Sequence, residues 1–72
     1  MNTDTPAATR HGIAFPTLAS ALGGAQRVEY SAVYAWITLP DGSTVRMVRS
    51  ALPPLDKWTA FNLADAAQKA LP

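Results

Sequence analysis

The most regular pattern of hydrophobic and polar positions in the chain lies between residues 34 and 49. Two runs rich in β-branched and aromatic residues, YAWITL and STVRMVR, flank Pro40-Asp41-Gly42. Proline presets φ, aspartate suits the next turn position and glycine accepts a left-handed backbone, so this segment predicts a β-hairpin with a three-residue loop. The register that follows pairs Leu39 with Ser43, Ile37 with Val45, Ala35 with Met47 and Trp36 with Arg46.

Alternation along the two strands gives the hairpin two unlike faces. An aliphatic face, suited to the core, is formed by Val33, Ala35, Ile37, Val45 and Met47. An aromatic and cationic face is formed by Tyr34, Trp36, Thr38, Thr44, Arg46 and Val48, with Tyr30 as a candidate extension. Because a single helix covers one side of a two-stranded sheet, we expect the second face to meet solvent.

The segment before the first strand predicts a short helix over residues 15–23. Pro16 suits its first turn, Thr17 is an alternative cap, and Gly23 provides a left-handed stop. A helix this short is not stable alone. We therefore expect it to dock on the aliphatic face of the hairpin through Leu18, Ala21 and Leu22, together with Ile13 and Phe15.

Residues 28–39 favour one long strand, although their Ala, Glu and Tyr residues also tolerate a helix. In a single strand one face carries Val28, Tyr30, Ala32, Tyr34 and Trp36. Such a strand exceeds the usual length of about 5–6 residues. We therefore expect either a bend at Ser31-Ala32 or a first part that pairs elsewhere.

A second helix is predicted after the hairpin. Pro53-Pro54 prevents continuation of the sheet, and Asp56 is a suitable N-cap for a helix that runs to Leu71, before the terminal Pro72. Its apolar stripe consists of Ala60, Leu63, Ala64, Ala67, Ala70 and Leu71. Small alanine side chains allow close approach, so this stripe is expected to pack on the aliphatic face of the hairpin. Asp65 and Lys69 have the spacing of an i,i+4 ion pair.

These elements predict a small single α+β domain over residues 13–72, made of a short N-terminal helix, a β-hairpin and a C-terminal helix packed on one face of the hairpin. Residues 1–12 lack hydrophobic periodicity and are expected to form a mobile arm that includes Arg10 and His11. A domain of 72 residues buries only about 60% of its unfolded surface, so a partner could supply further burial.

Composition narrows the classes of function. The chain has no cysteine, a polar start and no apolar run of about 20 residues, which indicates a cytoplasmic protein without disulfides or a membrane span. Its net charge of +1 makes nucleic acid a secondary partner at most. The only histidine lies in the predicted arm and the five carboxylates are scattered, so we expect no enzyme, metal site, cofactor or small-molecule substrate.

The remaining candidate function is binding through a surface. Tyr34, Trp36 and Arg46 are the first candidates for protein contact, because Trp, Tyr and Arg are enriched in interface hot spots. Candidates of second rank are Trp58, Arg49 and Arg10. Two structural alternatives stay open: Trp36 and Arg46 form an internal cation–π pair beneath the N-terminal helix, or Trp58 folds back onto the edge of the hairpin.

Two alternative functions follow from other patterns. FPTLASALG at residues 15–23 resembles the first helix and turn of phage Cro-type helix-turn-helix proteins, and SAVYAW at residues 31–36 resembles the end of their recognition helix. The segment from Gly23 to Trp36 is longer than the corresponding segment of that family by about one helical turn. A DNA-binding function of this kind also requires a helix across residues 34–37. An oligomeric structural or interaction protein, which buries the aromatic face between copies, is the other alternative.

The whole sequence, from MNTDT through the Leu39–Gly42 turn to the alanine-rich end, resembles small bacteriophage transcription regulators, of the kind made by phages of xanthomonads. The resemblance implies a protein that binds the β′ subunit of host RNA polymerase. It further implies inhibition of initiation at host promoters, antitermination, or both. It transfers no individual site residue to this chain.

Overall fold

The computed structural model describes residues 10–71, and the predicted arm before Arg10 and the predicted stop at Pro72 lie outside that range. The elements are β1 (His11–Ala14), α1 (Thr17–Ala21), β2 (Arg27–Tyr30), β3 (Tyr34–Thr38), β4 (Thr44–Val48) and α2 (Ala60–Ala70), with short 3-10 turns at Arg49–Ala51 and Leu55–Lys57. The strands form one antiparallel sheet in the order β1-β2-β3-β4. The predicted α+β class, with a short N-terminal helix and a C-terminal helix on the sheet, is confirmed, but the sheet has four strands instead of two.

The predicted β3–β4 hairpin is confirmed in its register. Ile37 pairs with Val45, Ala35 with Met47 and Trp36 with Arg46. The Leu39 N–H donates to the Ser43 carbonyl at 2.7 Å, and Gly42 has a φ of 92°. Asp41 Oδ1 accepts from the Ser43 N–H and hydroxyl, which lowers the pKa of Asp41 from its ordinary value. The short polar loop therefore fixes which hairpin residues share a face.

The predicted strand over residues 28–39 is interrupted at the expected position, Ser31-Ala32, but by a complete reversal of the chain at residues 31–33, so it forms two strands instead of one. The Ser31 N–H donates to the Tyr34 carbonyl at 2.9 Å, which closes a β2–β3 hairpin, and the Ser31 hydroxyl oxygen accepts from the Tyr34 N–H. Tyr30 consequently pairs with Ala35 on the core side of the sheet, not with Trp36 on the aromatic face. Val33 lies in the turn and is 54% exposed, so it does not join the aliphatic face.

His11 and Gly12 were expected in the arm but belong to β1. His11 pairs with Tyr30 and Ile13 with Val28. Ile13 packs partly buried against the core, and this burial, together with the backbone hydrogen bonds to β2, helps to offset the cost of ordering a four-residue strand. β1 therefore extends the sheet beyond β2 by one strand.

Helix α1 has the predicted stop, because Gly23 has a φ of 96°. The prediction for its buried face is wrong: Leu18 and Leu22 are both 68% exposed. The helix instead approaches the start of α2 at Gly24, whose N–H donates to the Ala19 carbonyl at 2.7 Å. A Cβ on Gly24 would lie 2.9 Å from Ala60 Cβ, so glycine permits this close contact.

Helix α2 begins at Ala60, four residues after the predicted N-cap Asp56. Thr59 is the cap, with its Oγ1 accepting from the Asn62 N–H at 3.1 Å, while Asp56 lies in a 3-10 turn. The later start follows from Trp58, which leaves the helical path to enter the core and is 8% exposed. Of the predicted stripe, Ala60, Leu63, Ala64 and Ala67 are buried, whereas Ala70 and Leu71 are exposed.

The core lies between α2 and one face of the sheet. Its fully buried side chains include Val28, Ala35, Ile37 and Leu63, and α2 contacts both β3 and β4. The predicted Asp65–Lys69 ion pair forms at 3.1 Å on the exposed side of α2. No helix among residues 10–71 has the length and hydropathy needed to cross a membrane.

Candidate docking surface on the open face of the sheet

The side of the sheet opposite α2 forms an open surface, which we call the outer face. Side chains along a strand point alternately to the two faces of the sheet, so the outer face carries the residues next in sequence to those that enter the core. None of its residues is buried. It carries Arg10, Gly12 and Ala14 at the β1 edge, Arg27 and Glu29 of β2, Tyr34, Trp36 and Thr38 of β3, and Thr44, Arg46 and Val48 of β4.

Two arginine–aromatic stacks occupy the middle of the outer face. Arg10 Cζ lies 3.8 Å from the centroid of the Trp36 ring, and Arg46 Cζ lies 4.7 Å from that of Tyr34. The two aromatic rings are 6.1 Å apart. The internal pair considered from the sequence, Trp36 with Arg46, is therefore replaced by Trp36 with Arg10, and no helix among residues 10–71 covers this stack.

Charge is distributed unevenly across the outer face. Glu29 contacts Arg10 at 3.4 Å and Arg27 at 3.1 Å. Arg46 has no carboxylate within ion-pair distance in the part of the chain that the structure describes. Three guanidinium groups thus face one carboxylate, and Arg46 keeps its N–H donors available for a carboxylate from outside the domain.

Four of the six predicted contact residues lie together on the outer face: Arg10, Tyr34, Trp36 and Arg46. The other two lie on the core side. Arg49 donates to the Ser31 carbonyl at 2.9 Å and stacks over Tyr30 and Trp58. Trp58 is 8% exposed and donates from Nε1 to the Pro53 carbonyl at 2.9 Å, so the fold-back alternative describes it and the exposed anchor does not.

Arg27 and Glu29 are outer-face residues that the sequence interpretation missed. The predicted single strand over residues 28–39 put Val28 and Tyr30 on the same face as Trp36. It therefore put Arg27 and Glu29 on the opposite face. The hairpin reverses this assignment, because Glu29 pairs with Trp36 and Arg27 with Thr38. The alternation of charged Arg27 and Glu29 with apolar Val28 was the available signal for a separate half-buried strand.

A cleft of about 320 Å³ beside α1 is lined by Phe15, Pro16, Thr17, Ser20 and Gln26, none of which titrates near neutral pH. Residues 10–71 contain no cluster of three or more His, Cys, Asp or Glu side chains that could hold a metal ion. The outer face, by contrast, combines planar cations with aromatic rings on a rigid sheet.

Comparisons of the chain with protein-family models, curated proteins and solved structures found no match. The geometry of the outer face is therefore the basis of the functional argument.

Proposed function

We propose that this protein is a non-enzymatic regulator that docks on bacterial RNA polymerase through the outer face of its sheet. The observation that carries the docking role is the uncovered outer face, where Trp36 and Tyr34 are stacked with Arg10 and Arg46. The identity of the partner, with the β′ subunit as the contact, comes from the resemblance of the whole sequence to phage regulators. The proposed effect is inhibition of host initiation, antitermination, or both, in the cytoplasm of the bacterial host.

The side chains of the outer face suit a protein partner. Trp, Tyr and Arg dominate interface hot spots, because they offer large rigid contact area and forked donors. Their stacking on a four-stranded sheet restricts their rotamers before binding, which reduces the entropy lost on association. The guanidinium groups lie over the aromatic rings and so form the outermost layer. A partner surface with carboxylates would complement this layer.

The Cro-like alternative requires a recognition helix across residues 34–37, but residues 34–38 form strand β3, so the fold gives this alternative no support. Self-association through the outer face would be a separate outcome. It would be recognised by a mass that rises with concentration in sedimentation experiments.

Binding can be tested with purified core polymerase and a fluorescently labelled chain. We expect Trp36→Ala and Arg46→Ala each to raise Kd by at least about tenfold, as hot-spot truncations do. Lys69→Ala is the matched control, because Lys69 is exposed on α2, on the far side of the domain from the outer face, and forms an ion pair with Asp65. Equal affinity of all three variants and the wild-type chain would contradict docking through the outer face. Binding that disappears after nuclease treatment would assign the contact to nucleic acid.

The regulatory effect needs a separate assay. In transcription reactions with purified polymerase, the wild-type chain should reduce transcripts from a host promoter or increase read-through of an intrinsic terminator. The Trp36→Ala variant should lose this effect, and Lys69→Ala should keep it. Tight binding without any change in either product would leave a polymerase-binding protein without the proposed regulatory role.

A further inference from the structure

Strand β4 has a free edge with regularly spaced backbone groups. A backbone hydrogen bond lies at each end of the β3–β4 pairing. The Leu39 N–H donates to the Ser43 carbonyl at one end, and the Arg49 N–H donates to the Val33 carbonyl at the other. Antiparallel strands alternate between bonded and non-bonded pairs. The N–H and C=O groups of the odd-numbered β4 residues therefore point to β3, and those of the even-numbered residues point to the free edge: Thr44, Arg46 and Val48.

The core side of β4 is only partly covered. Ala35 and Ile37 on β3 are 0% exposed, whereas their partners on β4, Met47 and Val45, are half-buried and pack at the margin of the core. Helix α2 thus covers the centre of the sheet more completely than this edge. An additional strand beside β4 would bring further apolar area onto Val45 and Met47.

A second copy of the chain is a poor occupant of this edge. Two β4 strands could pair in antiparallel fashion through Thr44, Arg46 and Val48 of each copy. The centre of such a pairing is Arg46. The pairing sets Arg46 directly opposite its own copy, and like charges directly opposite each other destabilise a strand pair. Arg46 also has no carboxylate partner among the described residues, so a strand with an acidic side chain at this position would complete its pairing.

We infer that the β4 edge accepts an extended segment of the protein partner, which carries Asp or Glu opposite Arg46 and apolar residues at the two flanking positions. The main chain of this segment bonds to Thr44, Arg46 and Val48. Its apolar residues cover Val45 and Met47. The inference rests on the proposed function, which supplies the polymerase as the partner, and adds to it the mode of contact and the sequence pattern of the bound segment.

Val48→Pro is the decisive variant. Val48 has a φ of −74°, which lies within the range that proline adopts, and its N–H points to the free edge, so the substitution removes an edge donor without breaking a β3 bond. Val48→Ala controls for the lost side chain. Ala14→Pro makes the same change on the opposite edge, at β1. Circular dichroism and urea titration verify the fold of each variant.

With purified core polymerase as the probe, Val48→Pro should raise Kd by at least about tenfold, because it leaves a partner carbonyl unpaired. Val48→Ala and Ala14→Pro, which change residues of the outer face but keep every backbone N–H of the β4 edge, should each weaken binding less than Val48→Pro does. Arg46→Glu, which keeps the edge amide, should weaken binding by at least as much as Val48→Pro. Hydrogen exchange gives a measurement that needs no variant: the edge-pointing amides of Thr44, Arg46 and Val48 should become protected in the complex, whereas those of Val45 and Met47 already bond to β3.

The outcomes separate the two proposals. If Val48→Pro binds like wild type while Trp36→Ala is weakened, strand addition is overturned and docking through the outer face stands. If Val48→Pro is weakened and Trp36→Ala is not, the edge is the contact and the outer face is not. Weakening by Ala14→Pro alone would move the contact to β1. A wild-type chain that does not bind polymerase, or a dimer joined through β4, would overturn the inference.

Discussion

Simultaneous replacement of Trp36 and Arg46 by alanine tests whether the outer face is a surface or part of the core. The double variant loses the Arg10–Trp36 stack at 3.8 Å and the Arg46–Tyr34 stack at 4.7 Å. Each exposed cation–π contact contributes about 0.5–1 kcal/mol. We therefore expect the free energy of unfolding to fall by about 1–2 kcal/mol, from a total of about 4–11 kcal/mol for a domain of this length.

Trp58→Ala provides the contrast, because Trp58 is 8% exposed and packs edge-on against Tyr30 at 5.2 Å. Truncation of a buried tryptophan costs about 3–5 kcal/mol. With a urea m-value near 1 kcal/mol/M, circular dichroism should show midpoint shifts of about 1–2 M for the double variant and about 3–5 M for Trp58→Ala. A double variant that loses as much stability as Trp58→Ala would refute the assignment of the outer face as a free surface.

Three further predictions concern contacts that hold the site in place. Arg49→Ala should lower the free energy of unfolding by about 1.5–3 kcal/mol in urea titrations, because it removes a charged donor from the Ser31 carbonyl. Gly24→Ala should cost about 1–3 kcal/mol in the same assay, since its Cβ would overlap with Ala60. The pKa of Asp41 is lowered by the Ser43 hydroxyl and N–H, so its stabilising contribution is present at neutral pH and is lost as pH falls through the lowered pKa of the folded state. Asp41→Ala should accordingly show a smaller acid-side decrease in urea midpoint than wild type.

The β3–β4 hairpin was predictable because its signals are local. Pro40-Asp41-Gly42 determines both the loop type and the register, and strict alternation on either side then assigns each side chain to a face. The buried stripe of α2 was predictable for a similar reason, since the 3.6-residue period alone places Leu63, Ala64 and Ala67 together. The start of α2 was not predictable, because Asp56 and Thr59 are both acceptable N-caps and the burial of Trp58 decides between them.

Local signals indicated strand for the residues of β2, but they revealed neither the hairpin that separates β2 from β3 nor the existence of β1. The turn at residues 31–33 contains neither Gly nor Pro, so the run from Val28 to Leu39 retains the appearance of a single strand. β1 is only four residues long and acquires its order from pairing with β2, a contact between segments distant in sequence. The exposed side of α1 was also unpredictable, because the tight contact of Gly24 with α2 rotates Leu18 and Leu22 to solvent.

The candidate site depends on β1 and β2 as much as on the β3–β4 hairpin. In a single strand Tyr30 and Trp36 would share a face, but the three-residue reversal pairs Tyr30 with Ala35 and Glu29 with Trp36. The pairing of β1 with β2 then sets Gly12 opposite Glu29. Since residues two apart share a face of a strand, Arg10 reaches the outer face and its guanidinium lies over Trp36. The β1–β2 and β2–β3 pairings thus bring residues 10, 29 and 36 together on one surface. Local sequence patterns cannot predict this surface, because it depends on contacts between strands.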